Sequence, residues 1–339
     1  MHYHDSMTLP GEVLVTGATG FMGSHLCHRL LREGYPVRAL VRDWQLGQPL
    51  REWGAETVLG DMRDPASLAR ACAGVETVYH CAAAFGATSV HRRLLWETNV
   101  DGARSLVDVA SAAGVRRLVF SSSGGVHGHC PEGPATEDSP IVPIRGDHYQ
   151  QAKIAAERLL FDSHRGGRLE VVAFRAQGIY GPRDTRFLKL FRALKRRRFV
   201  MIGSGKWPYS MLHVDDLVDG AVRCGTRPEA AGKAFILAHP NALPLRRLLA
   251  KLAEALNVPP PTRLRVPYAP VFAAAYVCEM ACRALRIDPP LYRTRVRFFN
   301  IARHFDISKA RRKLDFEPRI DLVTGARQTA RWYEDHGLL

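Results

Sequence analysis

Residues 12–26 read Glu-Val-Leu-Val-Thr-Gly-Ala-Thr-Gly-Phe-Met-Gly-Ser-His-Leu, and no other stretch constrains the fold as much. A short apolar run, Val13 to Val15, meets glycines at 17, 20 and 23, and an apolar, helix-forming segment continues to Arg32. The order predicts a buried strand, a tight turn and a helix. Gly17 permits the turn. Gly20 lets the backbone approach a pyrophosphate, and Gly23 lets the helix pack closely on the strand. Thr19, Phe21 and Met22 belong to the same cradle. Free N–H groups and the helix dipole favour negative charge there.

Beyond the turn, apolar strands alternate with helical segments. Strands are expected at Val37–Val41, Val75–His80, Leu118–Ser121 and Leu169–Phe174, and helices at Pro65–Ala73, Leu94–Ala113 and Tyr149–Phe161. This rhythm predicts an α/β fold, a Rossmann-like doubly wound parallel sheet with ligands at the carboxyl ends of its strands. Residues 10–184 are assigned to a dinucleotide-binding domain, rejoined by about 209–238. Residues 185–208 and 239–339 read as a smaller C-terminal α/β substrate-binding region, with helices near Arg186–Arg198, Leu245–Leu256 and Ala269–Leu285. Pro131 to Gly146 reads as a long loop, either plain surface or facing a substrate.

Composition narrows the partners. The seven cysteines are scattered and form no C-x-x-C, so neither disulfides nor a metal site is expected, and a reducing cytoplasm is inferred. Met1 to Pro10 lacks the charged-then-apolar pattern of a signal peptide. No apolar run reaches the ~18 residues of a membrane span. Ala269 to Leu285 comes nearest but is interrupted by Glu279 and Arg283; it reads as a helix buried in the second domain, with a membrane-surface patch as the alternative. The net charge of +15 admits an anionic ligand or surface. The densest cluster, Lys195 to Arg198, closes a predicted helix, where cations suit the dipole. No nucleic-acid motif or aromatic interleaving accompanies it, so nucleic acid is not expected as a partner.

Tyr149-Gln-Gln-Ala-Lys153 places a phenol and an ammonium four apart, on one helix face. A nearby cation stabilises phenolate and lowers the phenol pKa, so such a tyrosine can pass a proton to or from a carbonyl or alcohol oxygen. Ser121, Ser122 and Ser123 end a predicted strand just upstream, where a hydroxyl would meet the reacting oxygen.

Together, the glycine turn, Ser121-Ser-Ser-Gly-Gly-Val-His-Gly128 and Tyr-x-x-x-Lys resemble the extended short-chain dehydrogenase/reductase superfamily. Gly60-Asp-Met62, Val78-Tyr-His-Cys-Ala-Ala83, Thr98-Asn-Val-Asp-Gly102, Arg175-Ala-Gln-Gly-Ile-Tyr-Gly-Pro182 and Leu212-His-Val-Asp-Asp216 follow in the family's order. Arg303 to Arg311 and Trp332-Tyr333 are similar to its closing helices. The resemblance implies that Ser123 polarises a carbonyl, Tyr149 is the general acid/base, and Lys153 lowers its pKa and holds the nicotinamide ribose. It further implies that Asn99 supports the site, Asp61 and Met62 flank adenine, and Ala82 and Ala83 line the cofactor. Ser121, Ala176, Gly178 and Ile179 are counted with the cofactor site, although Ala176 stands where the family usually has proline. His127 replaces the usual tyrosine before Gly128; it either serves a substrate or is a tolerated replacement. A homodimer through long helices is common in the family.

Cofactor choice turns on the end of the second strand. A carboxylate there binds the ribose of NAD, and an arginine accommodates the NADP phosphate. Arg42 favours NADP; Asp43 keeps NAD open. The stretch resembles dihydroflavonol reductase and its hydroxysteroid-dehydrogenase-like relatives, which implies hydride transfer between nicotinamide and a ketone or secondary alcohol. The apolar run from Pro267 suggests a hydrophobic substrate. The alternative is a nucleotide-sugar epimerase or dehydratase with bound NAD, its diphosphate met by Arg183, Lys206 or Arg192.

Overall fold

The computed structural model describes residues 11–85, 92–261, 264–285, 287 and 289–339. The N-terminal segment read above for a signal peptide lies outside them. The chain runs through β1 (Val13–Thr16), α1 (Phe21–Arg32), β2 (Val37–Val41), α2 (Gln48–Glu52), β3 (Glu56–Leu59), α3 (Pro65–Cys72) and β4 (Thr77–His80). It continues through α4 (Arg92–Trp96), α5 (Gly102–Ala112), β5 (Arg117–Ser123), α6 (His148–Arg165) and β6 (Glu170–Ala176). Short strands β7 (Ile179–Tyr180), β8 (Met201–Ile202), β9 (Pro208–Tyr209) and β10 (Leu212–His213), with helix α7 (Leu188–Lys195), lead to α8 (Val214–Thr226) and β11 (Ala234–Leu237). The remainder holds β12 (Leu243–Pro244), α9 (Leu245–Ala255), β13 (Arg265–Val266), α10 (Tyr268–Ala284), α11 (Arg293–Arg297), α12 (Ser308–Leu314) and α13 (Leu322–Asp335).

Seven strands form one parallel sheet in the order β11-β6-β5-β4-β1-β2-β3. The order reverses between β1 and β4, which opens a crevice at their carboxyl ends. Both faces are covered, so the strands read as unbroken apolar runs. Val13 and Val15 of β1 enter one core with α1 and α8, while Leu14 enters the other with α3, α5 and α6. A separate cluster forms where Phe191 and Leu194 of α7, Leu248, Leu249 and Leu252 of α9, and Tyr333 of α13 meet.

Three elements depart from the sequence reading. β3 was not anticipated; it is a half-exposed edge strand with only two apolar residues, too few for a pattern. The single helix expected over Leu94–Ala113 is interrupted by a π-helical turn at Glu97–Asp101, which turns Asn99 inward. The helix expected to be buried at Ala269–Leu285 forms as α10, but only Ala275 and Cys282 of it are buried. All seven cysteines are free. No metal-holding cluster occurs among the described residues, and no helix is long and apolar enough to cross a membrane.

Behind the crevice, β5, β6 and α6 are joined by a buried ion pair. Arg175 Nη2 donates to Glu157 Oε1 at 2.5 Å, Ser122 Oγ donates to Glu157 Oε2 at 2.5 Å, and both charged side chains are 6 % exposed. Arg175 Nη1 also donates to the Glu137 carbonyl at 3.0 Å and faces His127 Nε2 at 3.1 Å. Removing one partner of such a pair strands a charge in low dielectric and costs ~3–5 kcal/mol. Glu157→Leu should therefore lower unfolding stability by about that amount in urea titration. A loss below ~1 kcal/mol would show that Arg175 finds other compensation.

Candidate active site

The crevice is a cleft of about 560 Å³. Its floor is the glycine turn. Gly17 has φ +69°, and a Cβ there would stand 2.6 Å from the Ala82 backbone nitrogen. A Cβ on Gly23 would stand 2.2 Å from the Gly17 carbonyl oxygen, so α1 packs directly on the turn. At Gly20 the only close neighbour among the described residues is that same oxygen, at 3.1 Å, and Gly20 itself lines the cleft. α1 starts there with no side-chain cap and no acidic residue in its first turn. An uncapped helix start behind a glycine cradle fits a dinucleotide pyrophosphate.

The walls come from the ends of β4, β5 and β6 and from α6. Gly17, Thr19, Gly20, Phe21, Met22, Gly23, Arg42, Asp61, Met62, Ala82, Ala83, Ser121, Ser123, Tyr149, Lys153, Ala176, Gly178 and Ile179 all line the cleft. Two of the residues assigned from the sequence to the catalytic and cofactor sets do not. Asp43 is turned onto its own backbone, where Oδ1 accepts from Gln45 N at 2.6 Å. Asn99 is buried behind the wall; its Oδ1 accepts from Ala84 N at 2.7 Å and its Nδ2 donates to Ala84 O at 3.0 Å. It shapes the loop after β4. Asp61 carries its own cation: Arg63 Nε and Nη2 donate to it at 2.9 and 3.1 Å and hold the carboxyl below its usual range.

Tyr149 and Lys153 sit one turn apart on α6, whose first turn is capped by Asp147 Oδ1 accepting from Gln150 N at 3.0 Å. Lys153 Nζ donates to the Ser121 carbonyl at 2.7 Å, lies 4.6 Å from the Phe120 ring centre and is 5.8 Å from that of Tyr149. Phe85 stacks on the Tyr149 ring with centres 4.3 Å apart. Burial pushes Lys153 down to about 8. It pushes the Tyr149 phenol up, opposed by the charge of Arg186. The lowering expected from Lys153 does not act on the phenol in the polypeptide alone; desolvation sets its direction, and Arg186 is the cation that opposes it. Ser123 Oγ accepts from Gly125 N at 3.1 Å, which occupies a lone pair and leaves its proton free to donate.

His127 is not in the cleft. It is 3 % exposed and lies between the Pro140 carbonyl, at 3.3 Å from Nδ1, and Arg175. The three cations considered for a diphosphate also stand elsewhere. Arg183 lies over Trp53 at 5.4 Å, Lys206 over Trp207 at 4.7 Å, and Arg192 Nε donates to Leu338 O at 2.6 Å. Besides Arg42 and Arg63, the arginines that line the cleft are Arg186 and Arg303. Arg186 is held by Asp184 Oδ1 at 2.9 Å, and Arg303 has a buried Nε with no partner among the described residues. Arg303 opens a motif recognised in the sequence, but nothing in its spacing says that the chain returns there to the cleft.

This geometry defines a class: an NAD(P)-dependent oxidoreductase built on the extended short-chain dehydrogenase/reductase fold. Residues 13–238 match the NAD dependent epimerase/dehydratase family, and the chain belongs to it. The sterol-4-alpha-carboxylate 3-dehydrogenase (decarboxylating) of Mus musculus is similar, at 25% identity over 97% of this chain and 92% of that protein. So is the 2-alkyl-3-oxoalkanoate reductase of Stenotrophomonas maltophilia, at 28% identity over 94% of this chain and 98% of that protein. Among solved structures, MoeE5 in complex with UDP-glucuronic acid and NAD superposes with a TM-score of 0.75 at 26% identity, covering 96% of this chain and 100% of that one.

Lys153 is 2 % exposed, so its depressed pKa is a stability statement. A drop from 10.5 to about 8 corresponds to a burial penalty on the order of 3 kcal/mol. The penalty is fully present below pH 8, where folded and unfolded chains both carry the proton. It fades between pH 8 and about 10.5, where only the unfolded chain still holds it. Lys153→Met should therefore be more stable than the natural protein at pH 7, by roughly 1–3 kcal/mol after loss of the Ser121 bond, with the gap closing toward pH 10.5. Urea unfolding across that range, without dinucleotide, checks this; a less stable variant at pH 7 would refute it.

Proposed function

We propose that this enzyme transfers hydride between NADP(H) and a ketone or secondary alcohol carried on an apolar, acid-bearing substrate. The observation that carries the reading is the meeting of Ser123, Tyr149 and Lys153 in the same cleft as the uncapped start of α1. Ser123 donates its free proton to the reacting oxygen and orients it. Tyr149 gives that oxygen a proton in reduction and takes one in oxidation; a phenol kept protonated by burial suits reduction at neutral pH. Lys153, fixed on the Ser121 carbonyl, presents its remaining N–H groups to the ribose. Asn99 acts through the Ala84 backbone as a positioning residue. When bound, the nicotinamide supplies or accepts the hydride.

In this reading the cradle from Gly17 to Gly23 takes the pyrophosphate, and Asp61 and Met62 take the adenine side. Ala82, Ala83, Ser121, Ala176, Gly178 and Ile179 take the nicotinamide half. Arg42 faces the cleft while Asp43 is spent on its own turn, which favours NADP over NAD. Residues 10–184 and 209–238 hold the dinucleotide, and residues 185–208 and 239–339 shape the substrate end. Arg186 and Arg303 offer cations at that end. They match relatives whose names place a carboxylate near the reacting centre, a sterol-4-alpha-carboxylate and a 2-alkyl-3-oxoalkanoate. The same pair also suits a diphosphate, and MoeE5 binds a nucleotide sugar with NAD. A nucleotide-sugar epimerase or dehydratase is therefore the second reading, and NAD retained through purification would favour it.

Tyr149→Phe should lower turnover at least ~100-fold with little change in cofactor affinity. Steady-state kinetics and cofactor titration on the purified variant check this; near-normal turnover removes Tyr149 from the chemistry.

A charge-assisted contact from Arg42 to a 2′-phosphate is worth ~1.5–3 kcal/mol, roughly a 10- to 150-fold preference for NADP. Arg42→Ala should erase most of it and leave NAD binding nearly unchanged. Dissociation constants of both nucleotides for both proteins provide the test. A natural protein that already prefers NAD would move the epimerase reading ahead.

A further inference from the structure

α10 is a helix with its apolar side turned outward. Its exposed positions include Ala269, Ala273, Val277, Ala281 and Ala284, spaced by three or four and so forming one stripe. The larger apolar side chains beside it are exposed too: Tyr276 by 48 %, Val277 by 65 %, Met280 by 47 % and Leu285 by 69 %. Leu264, before the helix, is 60 % exposed. None of these residues lines the catalytic cleft, so the face does not serve the reacting end of a substrate.

Cations surround this face. The only acid in α10, Glu279, accepts from Arg293 Nε at 2.6 Å and is neutralised. Arg265 precedes the helix, Arg283 sits in its last turn, and Arg295 follows on α11; all three are exposed. β8 pairs with β13 just ahead of α10, and Met201 N donates to Leu264 O at 2.9 Å. None of these three arginines forms an ion pair among the described residues.

We propose that this face docks the enzyme on an anionic phospholipid surface, with α10 lying in the plane of the interface. At 17 residues the helix is ~25 Å long, shorter than the ~30 Å hydrocarbon core, so it suits lying in the interface and not crossing it. An apolar stripe bordered by arginines matches acyl chains bordered by phosphates. A second copy of the chain fits less well, because a two-fold interface sets the same arginines against themselves. The inference does not depend on the substrate proposed above.

The test is co-sedimentation of the full chain with vesicles of phosphatidylcholine alone and of phosphatidylcholine mixed with phosphatidylglycerol, at low and high salt. Binding to the mixed vesicles is expected, at least ~10-fold tighter than to phosphatidylcholine and weakened by salt. The double variant Val277→Glu/Met280→Glu should lose at least ~10-fold in vesicle affinity while keeping its melting temperature and its cofactor affinity. Arg265→Ala/Arg283→Ala/Arg295→Ala should lose most of the preference for the anionic lipid. No binding to mixed vesicles, or equal binding by the Glu variant, overturns the proposal. So does sedimentation equilibrium showing an oligomer that the Glu variant splits, which would assign the face to a second copy.

Discussion

Between Gly23 and the carbonyl of Gly17 there is no room for a side chain, and between Gly17 and the backbone of Ala82 there is none either. These two contacts set the spacing of α1, β1 and the end of β4. The crevice opens between those strands because the sheet order reverses there. Were either approach relaxed by a methyl group, α1 would tilt away and its uncapped first turn would no longer point into the cleft. The rest of the site is hung on strands whose register follows from β1: β5 brings Ser121 and Ser123, and β6 brings Ala176.

Burial governs the electrostatics of the site more than pairwise charge does. Lys153 and Tyr149 are desolvated together, and each is pushed toward its neutral form. The same rule explains the surroundings. Glu157 and Arg175 are tolerated in the interior because each satisfies the other and Ser122 completes the set. His80, beneath the cleft, is pushed down to about 3 and is a neutral hydrogen-bond partner of Thr16 at 2.8 Å.

What was legible in the sequence was local. The glycine turn and the Tyr149–Lys153 pair are encoded by spacing within one strand-turn-helix or one helix face, so their places could be read before any tertiary contact was known. Residues whose role depends on distant segments were not legible. Arg186 and Arg303 reach the cleft only because the chain after β6 folds back over it, and the sequence drew attention to Arg183, Arg192 and Lys206, which bind elsewhere. Asp43 looked like a ribose ligand by position, but a short turn claimed its carboxylate. β3 escaped because an edge strand needs little apolar surface. α10 was read as buried because apolar composition reports how much surface dislikes water, not whether the protein itself covers it.

The first turn of α1 leaves its N–H groups without a side-chain partner, and Lys153 holds a charge in the interior. Both are costs of the polypeptide alone; in the proposed binding mode a pyrophosphate would meet the helix start and a ribose would meet the Lys153 ammonium. A dinucleotide that binds only the folded chain adds RT ln(1 + [L]/Kd), ~2.7 kcal/mol at a hundredfold excess over Kd. The consequence is a coupling between metabolism and protein lifetime. When dinucleotide is scarce, a larger fraction of chains opens to proteolysis, readable as faster protease digestion without cofactor than with it. An unchanged digestion rate would mean that the fold carries these charges unaided.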